Sequence, residues 1–141
     1  MNTLSPTSPR TAIDVGLVTA NLERSLHFYR DLLGLTVVQE LTTALIGQGR
    51  MVQLSHGQSL LKLVEFKTTP THPISTDIAV ACGYRYITLL TNNIYEILTK
   101  LEREAAMIRL KATRLPNGSI IAMVKDPDGN IVEFSQEPLG A

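Results

Sequence analysis

Near the start of the chain, Val15 and Leu17 alternate with Asp14, Gly16 and Val18, the period of a strand with two distinct faces. The period changes at Asn21. From there Leu22, Leu26, Tyr29 and Leu33 fall at helical spacing, which predicts an amphipathic helix ending at Gly34. The same change of period recurs 72 residues later, where "DVGLVTANLERSL" from Asp14 is matched by "YITLLTNNIYEIL" from Tyr86. Val15 meets Ile87, Leu17 meets Leu89, Thr19 meets Thr91, Asn21 meets Asn93 and Leu22 meets Ile94. Ile94, Leu98, Leu101 and Ala105, with Ile97 beside them, repeat the helical stripe. Asn21 and Asn93 are favoured N-cap residues, and Glu96 stands three beyond Asn93, as a capping-box partner does.

Shorter strand patterns follow each helix. In the first half they are "LTVVQEL", "GRMVQLS" and, after a turn at His56-Gly57, "SLLKLVEF". In the second they are "AMIRLKA", "GSIIAMVK" and "IVEFSQE", the last two joined by the turn sequence "DPDGN". Each half therefore reads β-α-β-β-β, an α+β class. The expected organisation is a loose leader over 1–11, a first module over 12–67, a Thr/Pro/Ser-rich connector over 68–83, a second module over 84–136 and a tail over 137–141. One small sheet with one helix buries little by itself. Two side by side would make one domain, a curved half-open mixed barrel with its helices outside and a concave face for a ligand.

Composition narrows the function classes. Hydrophobic residues make up 44% of 141, enough for a core. Lys plus Arg equals Asp plus Glu at 13 each, so no basic surplus favours a nucleic-acid partner. No apolar run reaches membrane-span length, and the N-terminus has no charged-then-apolar signal pattern. The single cysteine, Cys82, fits a reducing cytoplasm and reads as a small buried residue of the connector.

The chemistry gathers on the face turned away from the helices. Asp14, Gly16 and Val18 point there, as do Tyr86, Thr88 and Leu90 in the second copy. Lys62 and Glu133, near the end of each module, stand 71 residues apart and belong to the same face. Asp14, Lys62, Tyr86 and Glu133 are thus equivalent inward positions carrying two acids, a base and a phenol. A carboxylate in such a concavity rises in pKa by desolvation and falls beside an ammonium, a setting for general-base chemistry. Plainer readings remain open: Lys62 and Glu133 as an ion pair, Asp14 as a cap at its strand start, Tyr86 as an amphipathic core residue. Met51, Gln53, Leu60 and Met123 join Val18 and Thr88 as candidate pocket residues. His27, His56 and His72 read as surface residues in a helix, a turn and the connector.

The stretch "IDVGLVTANLERSLHFYRDLLGL" and the closing "KDPDGNIVEF" resemble the vicinal oxygen chelate superfamily of glyoxalases, bleomycin resistance proteins and extradiol dioxygenases. The resemblance implies the paired-module fold, a small organic ligand and a homodimer. It also implies four inward metal-ligand positions, which match Asp14, Lys62, Tyr86 and Glu133; of these Glu133 alone follows the family pattern. A lysine ammonium repels a divalent cation, and Asp14 with Glu133 would hold at most a weak hydrated ion. The expectation is therefore a pocket without a metal or other cofactor. Its chemistry would be acid–base isomerisation, epimerisation, cyclisation or lyase cleavage, with Glu133 or Asp14 as base, Tyr86 as proton donor and Lys62 stabilising charge. The alternative is a metal-free protein that sequesters a ligand, as bleomycin resistance proteins do.

Overall fold

A computed structural model describes residues 4–71 and 78–139; His72 lies outside the described residues. The chain runs β1 (Val15–Val18), α1 (Leu22–Leu26) continuing as a π-helical segment (His27–Leu32), β2 (Thr36–Thr43), β3 (Gly49–His56) and β4 (Ser59–Phe66). After a single 3-10 turn (Ile78–Val80) come β5 (Tyr86–Leu90), α2 (Ile94–Arg103), β6 (Ile108–Arg114), β7 (Ile120–Lys125) and β8 (Ile131–Gln136). The strands make two four-stranded mixed sheets of identical order, β1-β4-β3-β2 and β5-β8-β7-β6. In each, the first strand lies parallel to the last and the others pair antiparallel.

The repeat is kept residue by residue. Gly16 stands beside Lys62 in the first sheet and Thr88 beside Glu133 in the second. Lys62 is in turn opposite Gln53, and Glu133 opposite Met123. Both loops leaving the first strand close alike: the Thr19 amide donates to the Val64 carbonyl at 2.8 Å and the Thr91 amide to that of Ser135 at 3.0 Å.

Two compact units result, and they do not coincide with the two halves of the chain. Residues 4–22 and 35–69 form the first; residues 23–34 join residue 70 onward in the second. In the first unit Leu22, Val52, Leu54, Leu61 and Leu63 are buried. In the second Ile94, Leu98 and Leu101 of α2 are buried, along with Ala122, Val124, Val132 and Phe134 on the β7–β8 face that α2 contacts. Each buried Leu, Ile, Val or Phe side chain contributes about 1.5–3 kcal/mol of transfer free energy. Leu26, Phe28 and Tyr29 add to the second unit's core, with the Phe28 and Tyr29 rings edge to face at 4.9 Å.

Several local expectations are corrected. Asn93 precedes α2, but its side chain does not cap the helix; its amide takes Thr91 Oγ1 at 3.2 Å rather than Glu96. The first free amide of each helix is met from the module's last strand instead. Leu22 N donates to Glu65 Oε2 at 2.7 Å, and Ile94 N to Gln136 Oε1 at 3.0 Å. Ala105 is not part of the helical stripe: α2 ends at Arg103, and Ala105 is exposed with φ of +57°. Its amide reaches the Glu102 carbonyl and that of Ala106 the Leu101 carbonyl, a Schellman close with alanine where glycine is usual. Gly34, with φ of +75°, ends the first helix as expected. Cys82 is exposed rather than buried, as are the residues around it from 79 to 84.

Candidate functional site

The four inward positions fall two to each unit. In the first, Asp14 sits just before β1, and its carboxylate is fully engaged. Arg10 grips it with both terminal nitrogens, to Oδ1 at 2.6 Å and Oδ2 at 2.7 Å, while the Leu60 amide donates to Oδ1 at 2.9 Å. The guanidinium first, then the Leu60 amide, hold this carboxyl far below the usual carboxylate range; Lys62 contributes least. Asp14 thus ties the leader to the start of β4. Its assignment as a general base is not supported by this geometry, since a carboxylate so stabilised has little affinity for a proton.

Arg10 was not singled out by the sequence. The leader that holds it is irregular, yet its inner end is pinned to the β3–β4 turn: Arg10 donates to the Gln58 carbonyl at 2.5 Å, and the Thr11 amide to Gln58 Oε1 at 3.0 Å. Gly57, with φ of +58°, gives that two-residue turn its shape.

Lys62 lies on the same face, its Nζ 4.0 Å from Asp14 Oδ2, an ion pair at the limit of contact and too long for a hydrogen bond. Gln53 is beside it, half-buried, its amide donating to the weak acceptor Met51 Sδ at 3.6 Å. Leu60 and Met51 are half-buried, and Val18 is 45% exposed.

In the second unit, Glu133 is half-buried at the middle of β8 and takes a hydrogen bond from Thr88 Oγ1 at 2.8 Å. Among the described residues no cation pairs with it, and its second oxygen accepts no hydrogen bond. Tyr86 is 48% exposed and stands two residues before Thr88, on the same face and about 6–7 Å along the strand. Met123, opposite Glu133, is half-buried. Tyr86 is not a core residue, and the acidic neighbour of Lys62 within its own unit is Asp14.

The same unit holds a buried polar knot that the turn sequence "DPDGN" did not reveal as more than a turn. Asp126, 5% exposed, accepts Tyr29 Oη at 2.6 Å and the amides of Asp128 and Asn130 at 2.9 and 2.8 Å. Asn130 Nδ2 also reaches it, and Ser25 Oγ donates to Asp128 at 3.3 Å. Burial raises the Asp126 carboxyl, against the pull of these donors, and drives the Tyr29 phenol up as well. The knot ties the first helix to the β7–β8 turn through Tyr29, Ser25 and Asp126, which are buried, and Asp128 and Asn130, which are half-buried.

As a metal centre the four positions fit poorly. Asp14 has its oxygens committed to Arg10 and Leu60, Lys62 has no lone pair when protonated, and the Tyr86 phenol is a weak ligand at neutral pH. Among the described residues no three His, Cys, Asp or Glu side chains are grouped to hold a metal. Nor does any described helix have the length and apolarity to cross a membrane.

Comparison with known proteins gives consistent results. The model of the Glyoxalase/Bleomycin resistance protein/Dioxygenase superfamily matches residues 11–134. A lactoylglutathione lyase of Neisseria meningitidis is 26% identical over 132 residues, covering 88% of each chain. A probable lactoylglutathione lyase of Synechocystis is 29% identical over 135 residues, covering 89% of this chain and 92% of the relative. Among solved structures, a glyoxalase family protein from Bacillus cereus superposes with a TM-score of 0.78 at 17% identity, over 96% of this chain and 99% of its own.

Proposed function

The chain belongs to the glyoxalase/bleomycin resistance protein/dioxygenase superfamily, and we propose that it is a metal-independent enzyme moving a proton next to the carbonyl of a small organic substrate. One observation carries the assignment of the base. Of the two inward carboxylates, Asp14 is neutralised by a bidentate guanidinium, whereas Glu133 has a neutral hydroxyl partner and one oxygen free. Glu133 takes the proton from the carbon beside the carbonyl, the electron pair moves onto the carbonyl oxygen, and the Tyr86 hydroxyl donates a hydrogen bond to the resulting enolate. Thr88 holds the carboxylate in place. Return of the proton to the opposite face gives an epimer; return to the neighbouring carbon gives an isomer.

Likeness to lactoylglutathione lyases supports lyase or isomerase chemistry of this kind. The poor fit of the four positions to a metal supports catalysis without one. The test is deuterium incorporation from D2O, followed by proton NMR, across small oxo acids, hydroxy acids, thioesters and lactoylglutathione. Exchange that survives chelator treatment and collapses in Glu133→Gln is expected. A metal bound at one equivalent and needed for turnover overturns the metal-free mechanism. A compound that binds tightly and is recovered unchanged, with no exchange in the panel, supports sequestration instead.

A further inference from the structure

In the first unit a lysine is left with an unspent charge beside empty space. Lys62 Nζ is 4.0 Å from Asp14, whose two oxygens Arg10 already fills. Its neighbour across the parallel ladder is Gly16, and a side chain built there would meet no atom within 4 Å. Gly16 has no left-handed backbone to explain the absence of a side chain. A glycine inside a strand often marks a place where a ligand comes close to the backbone. On the other side of Lys62, Gln53 spends its amide on a thioether at 3.6 Å, a bond that any oxygen acceptor would displace.

We infer that Gly16, Gln53 and Lys62 form a binding site for a carboxylate group, seated over Gly16 and accepting hydrogen bonds from the Lys62 ammonium and the Gln53 amide. The charge of the patch selects the ligand class. Arg10 and Lys62 against Asp14 leave one net positive charge, which a monoanionic carboxylate matches and a phosphate dianion exceeds. Val18 and Met51, on the same face, give the ligand's carbon skeleton an apolar border. The site consists of first-unit residues and stands independently of the proton transfer assigned to Glu133.

Acetate and, separately, inorganic phosphate titrated into the 15N-labelled full chain test the site. Expected are saturable acetate shifts centred on the Gly16, Gln53 and Lys62 amides. Acetate affinity should fall about tenfold or more in Lys62→Gln, as loss of a charge-assisted bond requires, and as far in Gly16→Val, which fills the space with a strand-compatible side chain. Lys67→Gln, at an exposed lysine elsewhere in the unit, should bind acetate as the unaltered chain does. Non-saturating shifts, or equal affinity in Lys62→Gln, overturn the site. Phosphate binding more tightly than acetate through the same residues overturns the carboxylate assignment. Loss of exchange in Glu133→Gln alongside absent acetate binding would leave proton transfer standing and remove this site alone.

Discussion

At the middle of its first strand one unit carries glycine and the other threonine, and the residue beside each is a lysine or a glutamate. Gly16 leaves Lys62 open to whatever approaches; Thr88 donates to Glu133 and orients it. The β3–β4 and β7–β8 turns diverge in the same way. The first, at Gly57-Gln58, holds the leader through Arg10 and Thr11, while the second, at Asp126–Asn130, holds the first helix through Tyr29 and Ser25. One backbone plan, kept in register for both halves, thus presents a cation-rich face in one unit and a hydroxyl-bound carboxylate in the other. Register fixes where a side chain stands, and its chemistry depends on the two or three groups that reach it.

Exchanging the carboxylates' roles tests this contrast most strongly. Glu133→Gln should lower proton exchange by about 10²–10⁴-fold, the usual share of a general base, with the fold intact by circular dichroism. Asp14→Asn should leave most of the exchange. Equal losses from both would mean that the guanidinium does not disarm Asp14.

The turn contrast comes next. Tyr29→Phe removes a 2.6 Å bond to a buried carboxylate and should cost about 2 kcal/mol at pH 7 in urea unfolding. Burial raises the Asp126 pKa in the folded state, so this group's contribution is most favourable below its unfolded value of about 3.9 and declines as pH rises through the folded value. Removing the Tyr29 hydroxyl raises that pKa further, so the cost should be smaller near pH 4 than at pH 7. A cost that does not vary with pH would place the loss in packing instead.

The helix starts differ by a single charge. Glu65→Ala should cost about 1–2 kcal/mol and Gln136→Ala about 1, since the carboxylate also meets the positive end of the helix dipole. Gln136→Glu should then gain about 0.5 kcal/mol by thermal unfolding. The helix ends make the smallest test. Ala105→Gly should stabilise the chain by about 0.5–1 kcal/mol and Gly34→Ala destabilise it by a similar amount, since both positions have positive φ and only one carries glycine.

Much of this plan was readable in the chain. The 72-residue repeat, the strand and helix periods and the four inward positions depend on side-chain alternation and spacing, which are properties of consecutive residues. Even the helix caps were within reach, since Glu65 and Gln136 stand 71 residues apart, as Lys62 and Glu133 do. Asn21 and Asn93 lie nearer in sequence, but the helix-start amides are met by side chains that the fold brings from the last strand of each module.

The sequence by itself determined the order of elements, the duplicated sheet and the face on which polar side chains gather. Local backbone preference and the burial of alternate residues decide these without reference to distant segments. Tertiary structure alone decided the state of each polar residue. Arg10 reaches Asp14 because an irregular leader is tied to a turn 47 residues away, and Tyr29 meets Asp126 across 97 residues. No period marks such meetings. A carboxylate's proton affinity depends on the charges and donors within a few ångströms of it, and folding is what brings them there.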